Sequence, residues 1–259
     1  MNKEIVLFKD KFIDYSSKDG EAGRIIEDFE GLNDAISDDL QHRLDVLLCG
    51  LKIEDLIEKQ SDNKRLEYSS SERGEHESKT CDGVNRETER EICKCIFFNN
   101  CRDKVGSNGC LPNCYIKQPW INKSEQFVVI DYEFPMPFKH SVYGVGKVDL
   151  IIEDSNCGVY YAVEVKPPHG NKNTISLMMA ETLTYTAILE SAGEYGMKNN
   201  KRLQPAIAFF KDSIQWNKYY EYKDLNNPYF ENLLKVIKVF EIEKKNEDGK
   251  CLFEFYALN

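Results

Sequence analysis

Residues 146–167 read GKVDLIIEDSNCGVYYAVEVKP, and the prediction of the fold starts from this stretch. Two short runs, Val148–Ile152 and Val159–Val165, are rich in β-branched and aromatic residues, and turn-forming residues (153–158) separate them. Two runs of this kind, joined by a cluster of turn formers, are typical of a β-hairpin. We therefore expect two adjacent antiparallel strands here.

Charged residues stand inside both of these predicted strands. Asp149 is surrounded by apolar residues in the first strand. Since side chains alternate across a strand, Glu164 and Lys166 share one face of the second strand. The residues on its other face are Tyr161, Val163 and Val165. An unpaired charge is costly to bury, so a group of this kind usually holds a metal and performs chemistry.

The arrangement of these charges resembles the PD-(D/E)XK nuclease superfamily. That family has an acid on one strand, and Glu or Asp, any residue and Lys on the next; the matching residues here are Asp149 and Glu164-Val165-Lys166. One departure is Val148, which stands where the family has a proline before the acid. The resemblance implies an α/β (α+β) fold with a restriction-endonuclease-like core, in which helices flank a central mixed β-sheet.

The resemblance also implies a chemistry, that of a divalent-metal-dependent nuclease that hydrolyses phosphodiester bonds with Mg²⁺ or Mn²⁺. DNA is favoured over RNA as its substrate. Asp149, Glu164 and the backbone carbonyl of Val165 are the expected metal ligands, and oxygen ligands suit Mg²⁺. Lys166 is expected to orient or deprotonate the attacking water, because burial and the charge of the metal would ease the loss of its own proton, and to stabilise charge at the phosphate.

A further acid is expected from a helix over residues 85–99, since a helix before the first core strand often contributes to the metal site in this family. The candidates are Glu87, Glu89 and Glu91. On a helical wheel Glu89 and Glu91 flank the apolar stripe about equally, and Glu87 lies further round. We favour Glu91 because it lies one turn from both Glu87 and Cys95.

A buried helix is predicted after the hairpin. Asn173 and Thr174 can cap a helix that runs to about Ser191, and this segment is apolar almost all round, as expected inside a protein. Its polar residues Glu181 and Tyr185 lie one turn apart. In one branch of the family a Gln and a Tyr at this spacing touch the site, and here Glu replaces the Gln. The alternative is a buried structural pair.

The remaining elements of the predicted core carry no chemical signal. Gln126–Glu133 is predicted to be the first core strand, and Pro205–Phe210 the strand that follows the buried helix. A helix is predicted over Asn227–Phe240. A hairpin of Phe240–Glu243 and Leu252–Tyr256, with a turn at residues 246–249, is predicted to follow.

The chain is predicted to divide into three parts. Residues 1–60 have leucines at helical spacing and are expected to form a helical N-terminal region, either a layer packed on the nuclease core or an arm for a dimer or another partner. Residues 61–80 are almost wholly polar and are expected to form a linker or loop. Residues 81–259 are expected to form the nuclease-like domain, with a cysteine-rich insertion at about 93–114.

Cysteines are frequent in and around that insertion. Zinc takes four thiolate or imidazole ligands, usually offered as pairs two to four residues apart, and Cys110 and Cys114 have such a spacing. The set that could hold zinc is Cys101, Cys110 and Cys114 with either Cys81 or Cys95. Free or buried thiols are the default expectation, and an iron–sulfur cluster is the other metal alternative. Without an N-terminal signal segment, we expect a reducing cytoplasm rather than an oxidising compartment.

The net charge of −10 is unusual for an enzyme that acts on nucleic acid, because Lys and Arg contacts to phosphates supply most non-specific affinity. The excess is local: residues 1–60 contain 8 basic and 15 acidic residues, a net −7 that leaves −3 for the rest. Bound divalent cations would offset part of this. No apolar run approaches the ~18 residues that would span a membrane.

Two other classes of function stay open. One is a nuclease-fold subunit that binds nucleic acid or assembles with a partner without activity of its own. The other is an interaction module stabilised by zinc on the cysteines. The intact set of Asp149, Glu164 and Lys166 favours the nuclease, because inactive members of the family usually lose one of the three.

Overall fold

The protein is represented by a computed structural model that describes residues 29–30, 32–33, 89, 92–93, 96, 126–135, 147–168, 175–191, 203–247 and 250–259. The strands are β1 (Phe127–Pro135), β2 (Lys147–Asp154), β3 (Val159–Lys166), β4 (Leu203–Phe210), β5 (Lys238–Glu247) and β6 (Lys250–Ala257). The helices described from end to end are α1 (Ile175–Ser191), α2 (Ile214–Asp224) and α3 (Pro228–Leu233). None of the described helices is both long and apolar enough to cross a membrane.

The six strands form one mixed sheet in the order of the sequence, β1 to β6. β1, β2 and β3 pair antiparallel, β3, β4 and β5 pair parallel, and β5 and β6 form an antiparallel hairpin. Parallel neighbours need a crossover connection, which α1 provides between β3 and β4, and α2 with α3 between β4 and β5. The predicted fold class, a mixed sheet flanked by helices, is confirmed.

The β2–β3 hairpin forms where it was predicted. Leu150 pairs with Val163, and Ile152 pairs with Tyr161. In the turn, the Asp154 carboxylate accepts the Asn156 N–H at 2.9 Å, and Gly158 adopts a left-handed φ of 68°. Glycine adopts this conformation without the steric cost that a Cβ would bring.

The two faces of the sheet contribute to two separate apolar cores. Ala162 packs with α1, α2 and α3 on one face, whereas Val163 and Val165 pack in the other core, as the alternation of side chains predicts. α1 is bound to the sheet by Thr182, whose hydroxyl donates to the Ala162 carbonyl at 2.6 Å and accepts the Ala206 N–H at 3.0 Å. The strand residue opposite Ala162 is Pro205, which has no N–H to donate.

One predicted element is wrong in its second half, and another helix was missed. The helix expected over Asn227–Phe240 ends at Leu233, and β5 begins at Lys238, because the β-branched and aromatic residues that follow are buried beside β4. The missed helix is α2, whose aromatic and charged residues give no clear apolar stripe. Its start does carry a signal: the Ser213 hydroxyl accepts the Trp216 N–H at 3.1 Å, as an N-cap.

The described part of the N-terminal region packs against α2 and α3. Phe29 and Leu32 are helical and fully buried, and the ring of Phe29 lies 5.0 Å from that of Phe230, centroid to centroid. The Asn33 amide donates to the Tyr229 carbonyl at 2.6 Å. These contacts favour the packed layer over a free arm for this segment. The other residues of 1–60, and the linker predicted at 61–80, lie outside the described residues.

Candidate active site

The acids and the lysine come together where β2 and β3 separate. The β2–β3 pairing extends to Leu150 and Val163, and beyond that point the Asp149 carboxylate accepts the Val165 N–H at 2.7 Å. Asp149 and Glu164 are both buried, with 4% of each exposed. The side chain of Asp149 therefore takes the place of a backbone hydrogen bond between the strands.

Three carboxylates meet at this point: Glu89, Asp149 and Glu164 each offer an oxygen, and these oxygens lie within 4.8 Å of one another. Burial raises the pKa of Asp149 well above its ordinary value, and the charge of Glu89 adds to the rise. Burial also raises the pKa of Glu164, with the charge of Asp149 as the next cause. Like charges held this close repel one another, and an oxygen-only donor set of this kind fits a hard divalent cation such as Mg²⁺ or Mn²⁺.

Lys166 is the cation of the group. Its Nζ lies 2.5 Å from Glu164, 2.9 Å from Glu89 and 3.7 Å from Glu181, and 4% of its side chain is exposed. Burial acts to lower the pKa of Lys166, but the carboxylates of Glu164, Asp149 and Glu89 outweigh it and raise that pKa well above its usual range. Burial alone therefore does not ease the loss of this proton; the expectation also included the charge of a bound metal, and it stays a prediction.

Among the described residues, Glu89 is the acid that the segment before β1 contributes to the site. Glu89, Ile92, Cys93 and Ile96 are helical, and the last three are buried in the core on the face opposite α1. Burial raises the pKa of the Cys93 thiol, and the charge of Asp149 adds to it. Glu91, the glutamate that we favoured from the sequence, lies outside the described residues.

Glu181 and Tyr185 approach the same group from α1. The Glu181 carboxylate lies 3.7 Å from Lys166, and its hydrogen bond with Glu164 contributes to the raised pKa of that residue. Tyr185 is 3% exposed; its pKa is raised by burial and by the charges of Glu164 and Glu181. The spacing of one helical turn thus brings both side chains to the site.

Sequence reasoning missed Glu133 and Lys147, which lie next to Asp149. Glu133 is the β1 residue between the partners of Val148 and Leu150, and it adopts a left-handed φ of 50°. The Lys147 ammonium lies 3.1 Å from its carboxylate. These two residues come together only because β1 pairs with β2. The residue pattern of one strand alone could not predict their contact.

The cysteines considered as zinc ligands lie outside the described residues: Cys81, Cys95, Cys101, Cys110 and Cys114. The two free cysteines that the structure describes are Cys93, which is buried, and Cys157, which is exposed on the β2–β3 turn. Neither forms part of the set predicted for zinc.

Comparison with known proteins gives one family match and one structural likeness. The family described as type II restriction endonuclease, HinfI, matches residues 50–240, which is most of the chain. No curated protein matches. A solved structure described as Pyrococcus furiosus SfsA in complex with Ca²⁺ is 13% identical with a TM-score of 0.24, and the alignment covers 52% of this chain and 55% of that one. The chain therefore spans about half the length of that protein.

Proposed function

The chain belongs to the HinfI family of type II restriction endonucleases, within the PD-(D/E)XK superfamily, and we propose that it is a divalent-metal-dependent endonuclease that hydrolyses phosphodiester bonds in DNA. The observation that supports this most directly is the group formed by the partly exposed Glu89 with the buried Asp149, Glu164 and Lys166. Three carboxylates and one lysine at the end of a β-sheet provide both a place for a cation and a charge for the phosphate.

Asp149, Glu164 and Glu89 would hold the metal, with the carbonyl of Val165 as a further ligand. The N–H and C=O of a strand residue point to the same side, and the Val165 N–H points to Asp149, which supports the inclusion of its carbonyl. When bound, a divalent ion lowers the pKa of a coordinated water and offsets negative charge at the phosphate. The burial of Asp149 and Glu164 keeps bulk water from weakening these interactions, while Glu89 closes the group from a partly exposed position.

Lys166 would act as a fixed cation that orients the attacking water and stabilises the phosphate as its charge grows. Its ammonium is held by Glu164 and Glu89, so little reorganisation is needed when the charge develops. Deprotonation of the attacking water by Lys166 is the alternative role, because a bound divalent ion would offset the carboxylate charges that raise the pKa of Lys166. Glu181 and Tyr185 would line the site and keep Lys166 in place from α1.

Cleavage assays test this proposal. Supercoiled plasmid, single-stranded DNA and RNA are incubated with Mg²⁺, Mn²⁺ or EDTA, with wild-type protein and with Glu164→Gln. We expect metal-dependent cutting of the plasmid, lost by about 10³-fold or more in the variant. The matched control is Glu221→Gln, an exposed glutamate on α2, which should cut as the wild type does.

Three results would contradict the proposal: cutting in EDTA, wild-type rates in Glu164→Gln, or no cutting of any substrate by folded protein. The last result would favour a nuclease-fold subunit that binds nucleic acid or a protein partner without cleaving. A homodimer stays a prediction, and light scattering during gel filtration is the measurement that checks it.

A further inference from the structure

The structure carries a second group of lysines at the end of the sheet that holds the site, and these are exposed. We propose that Lys147 and Lys211, on either side of Lys166, bind backbone phosphates of the DNA strand that enters the site. This inference rests on the proposed nuclease function and names the surface over which its substrate lies.

The strand register places two of the three lysines on neighbouring strands and the third directly after the next strand, β4. Lys147 is three residues before Leu150 on β2, and Lys166 is three residues after Val163, the partner of Leu150. Lys166 pairs with Phe209 of β4, and Lys211 is two residues beyond that partner. Paired strands lie about 4.8 Å apart and rise about 3.3 Å per residue, so Lys147 and Lys211 lie at least roughly 12 Å apart, since β2 and β3 separate beyond Leu150 and Val163. One DNA strand has a phosphate about every 3.4 Å of helix axis, so this distance spans more than one phosphate.

The two outer lysines are accessible, and the central one is not. The side chains of Lys147 and Lys211 are 51% and 45% exposed, against 4% for Lys166. Lys166 is also occupied by Glu164 and Glu89. The phosphates next to the one that is cleaved therefore need other cations, and the outer lysines are in the right place to supply them.

Each outer lysine pairs with a carboxylate, and a phosphate can take the place of that carboxylate. Lys147 lies 3.1 Å from Glu133, and Lys211 lies 3.4 Å from Glu243. Ion pairs that are open to water contribute little to stability, so exchanging the carboxylate for a phosphate costs little. The exposed acid Asp212 follows Lys211 directly, and its φ of 63° turns the chain from β4 towards α2.

The backbone at Glu133 gives a further reason to regard Lys147 as more than a surface residue. Glutamate is uncommon at a φ of 50°, and residues in such conformations are concentrated at functional sites. The conformation puts the Glu133 carboxylate beside Lys147 and opposite Asp149. Glu133 thus holds the lysine at the edge of the site until a phosphate arrives.

Equilibrium binding to a labelled random-sequence DNA duplex tests the inference. Binding is followed by fluorescence anisotropy over a series of salt concentrations, in Mg²⁺ and in the Glu164→Gln background so that the duplex stays intact. We expect Lys147→Ala and Lys211→Ala each to weaken binding by about 3- to 10-fold and to reduce the slope of log K against log salt by about 0.9. The double variant should lose about twice that slope.

Two further variants separate a phosphate contact from a structural role. Glu243→Gln frees Lys211 and should tighten binding, an effect that damage to the fold would not produce. Lys235 lies just before β5, at the end of the sheet where that strand begins. Lys235→Ala should leave both the DNA affinity and the salt slope unchanged. If an alanine variant has a lowered melting temperature, Lys147→Gln or Lys211→Gln is used instead, because glutamine keeps most of the side chain and removes the charge.

The outcomes are distinguishable. If wild-type protein cleaves DNA but both lysine variants bind with the affinity and salt slope of Lys235→Ala, the inference is wrong and the proposed function stands. If wild-type protein neither binds nor cleaves DNA, the proposed function is wrong and the inference falls with it.

Discussion

Lys166 is the cation that offsets the negative charge of the neighbouring carboxylates. Its ammonium contacts Glu164 and Glu89 directly and faces Glu181 at 3.7 Å, so several carboxylates depend on one cation. A buried ion pair adds little net stability, yet removing one partner leaves the other charge buried and uncompensated. The lysine is therefore structural in the metal-free protein as well as a candidate for catalysis.

Replacing Lys166 by methionine should destabilise the metal-free protein by about 3–5 kcal/mol, because Glu164 loses its buried partner. The measurement is urea unfolding in EDTA. Lys218→Met is the matched control: that lysine pairs with Glu221 on the surface of α2 at 2.6 Å, and its loss should change the free energy of unfolding by less than about 1 kcal/mol. If both variants lose equally little free energy of unfolding, the buried Glu164 does not need the Lys166 ammonium as a partner.

Asp149→Asn should have the opposite effect on stability. Burial and repulsion by Glu89 outweigh the attraction of Lys166 for the Asp149 carboxylate, as its raised pKa indicates, and an Asn oxygen can still accept the Val165 N–H. We expect the metal-free protein to gain roughly 1–2 kcal/mol, since one buried like charge is removed. Cleavage should be lost, and Mg²⁺ should no longer raise the melting temperature.

Thermal melts in EDTA and in Mg²⁺ check this prediction for Asp149→Asn. Asp224→Asn, an exposed aspartate at the end of α2, is the control and should leave both the melting temperature and the metal effect as they are. A melting temperature for Asp149→Asn below that of the wild type in EDTA would mean that the carboxylates do not repel one another as the geometry implies.

Among the elements, α1 does two things at once. It covers one face of the sheet, and its Thr182 hydroxyl satisfies the Ala162 carbonyl and the Ala206 N–H between β3 and β4. The same helix brings Glu181, the residue before Thr182, and Tyr185, about one turn later, to the site. Its position along the sheet therefore sets the position of the site-lining residues.

Thr182→Val keeps the shape of the side chain but leaves two buried backbone groups unsatisfied, so it should cost about 2–4 kcal/mol. Thr184→Val is the control, because its hydroxyl donates at 2.8 Å only to the Ala180 carbonyl in the same helix, and it should cost about 1 kcal/mol or less. Guanidinium unfolding of the two variants measures the difference. If they lose equal stability, Thr182 is not the link between α1 and the sheet.

The sequence predicts those elements whose own pattern is strong. The β2–β3 hairpin, α1 and β4 carry clear apolar periods and turn or cap residues, and all are confirmed. The helix predicted over Asn227–Phe240 fails because burial beside β4, a tertiary effect, outweighs local preference for residues 238–240. Glu133, Lys147 and Lys211 carry no local signal, because the register of the sheet alone places them near Asp149 or Lys166.

In the whole molecule, the acidic N-terminal region contributes to the same core as the nuclease sheet. Phe29 is 1% exposed and contacts the rings of Tyr222 and Phe230, on α2 and α3. These two helices form the crossover that places β5 beside β4. The charge excess of residues 1–60 thus belongs to a segment whose described residues lie on the α1 side of the sheet.

Phe29→Ala should therefore destabilise the whole protein by about 3–5 kcal/mol, as removal of a fully buried aromatic ring does. The measurement is urea unfolding followed by tryptophan fluorescence, since Trp216 on α2 reports on the neighbouring helix. Glu30→Ala is the control: it removes only an exposed hydrogen bond from Tyr229 at 3.0 Å and should cost less than about 1 kcal/mol. If Phe29→Ala leaves the free energy of unfolding unchanged, the N-terminal region is an arm that the core does not need, and its acidic surface becomes the place to look for a protein partner.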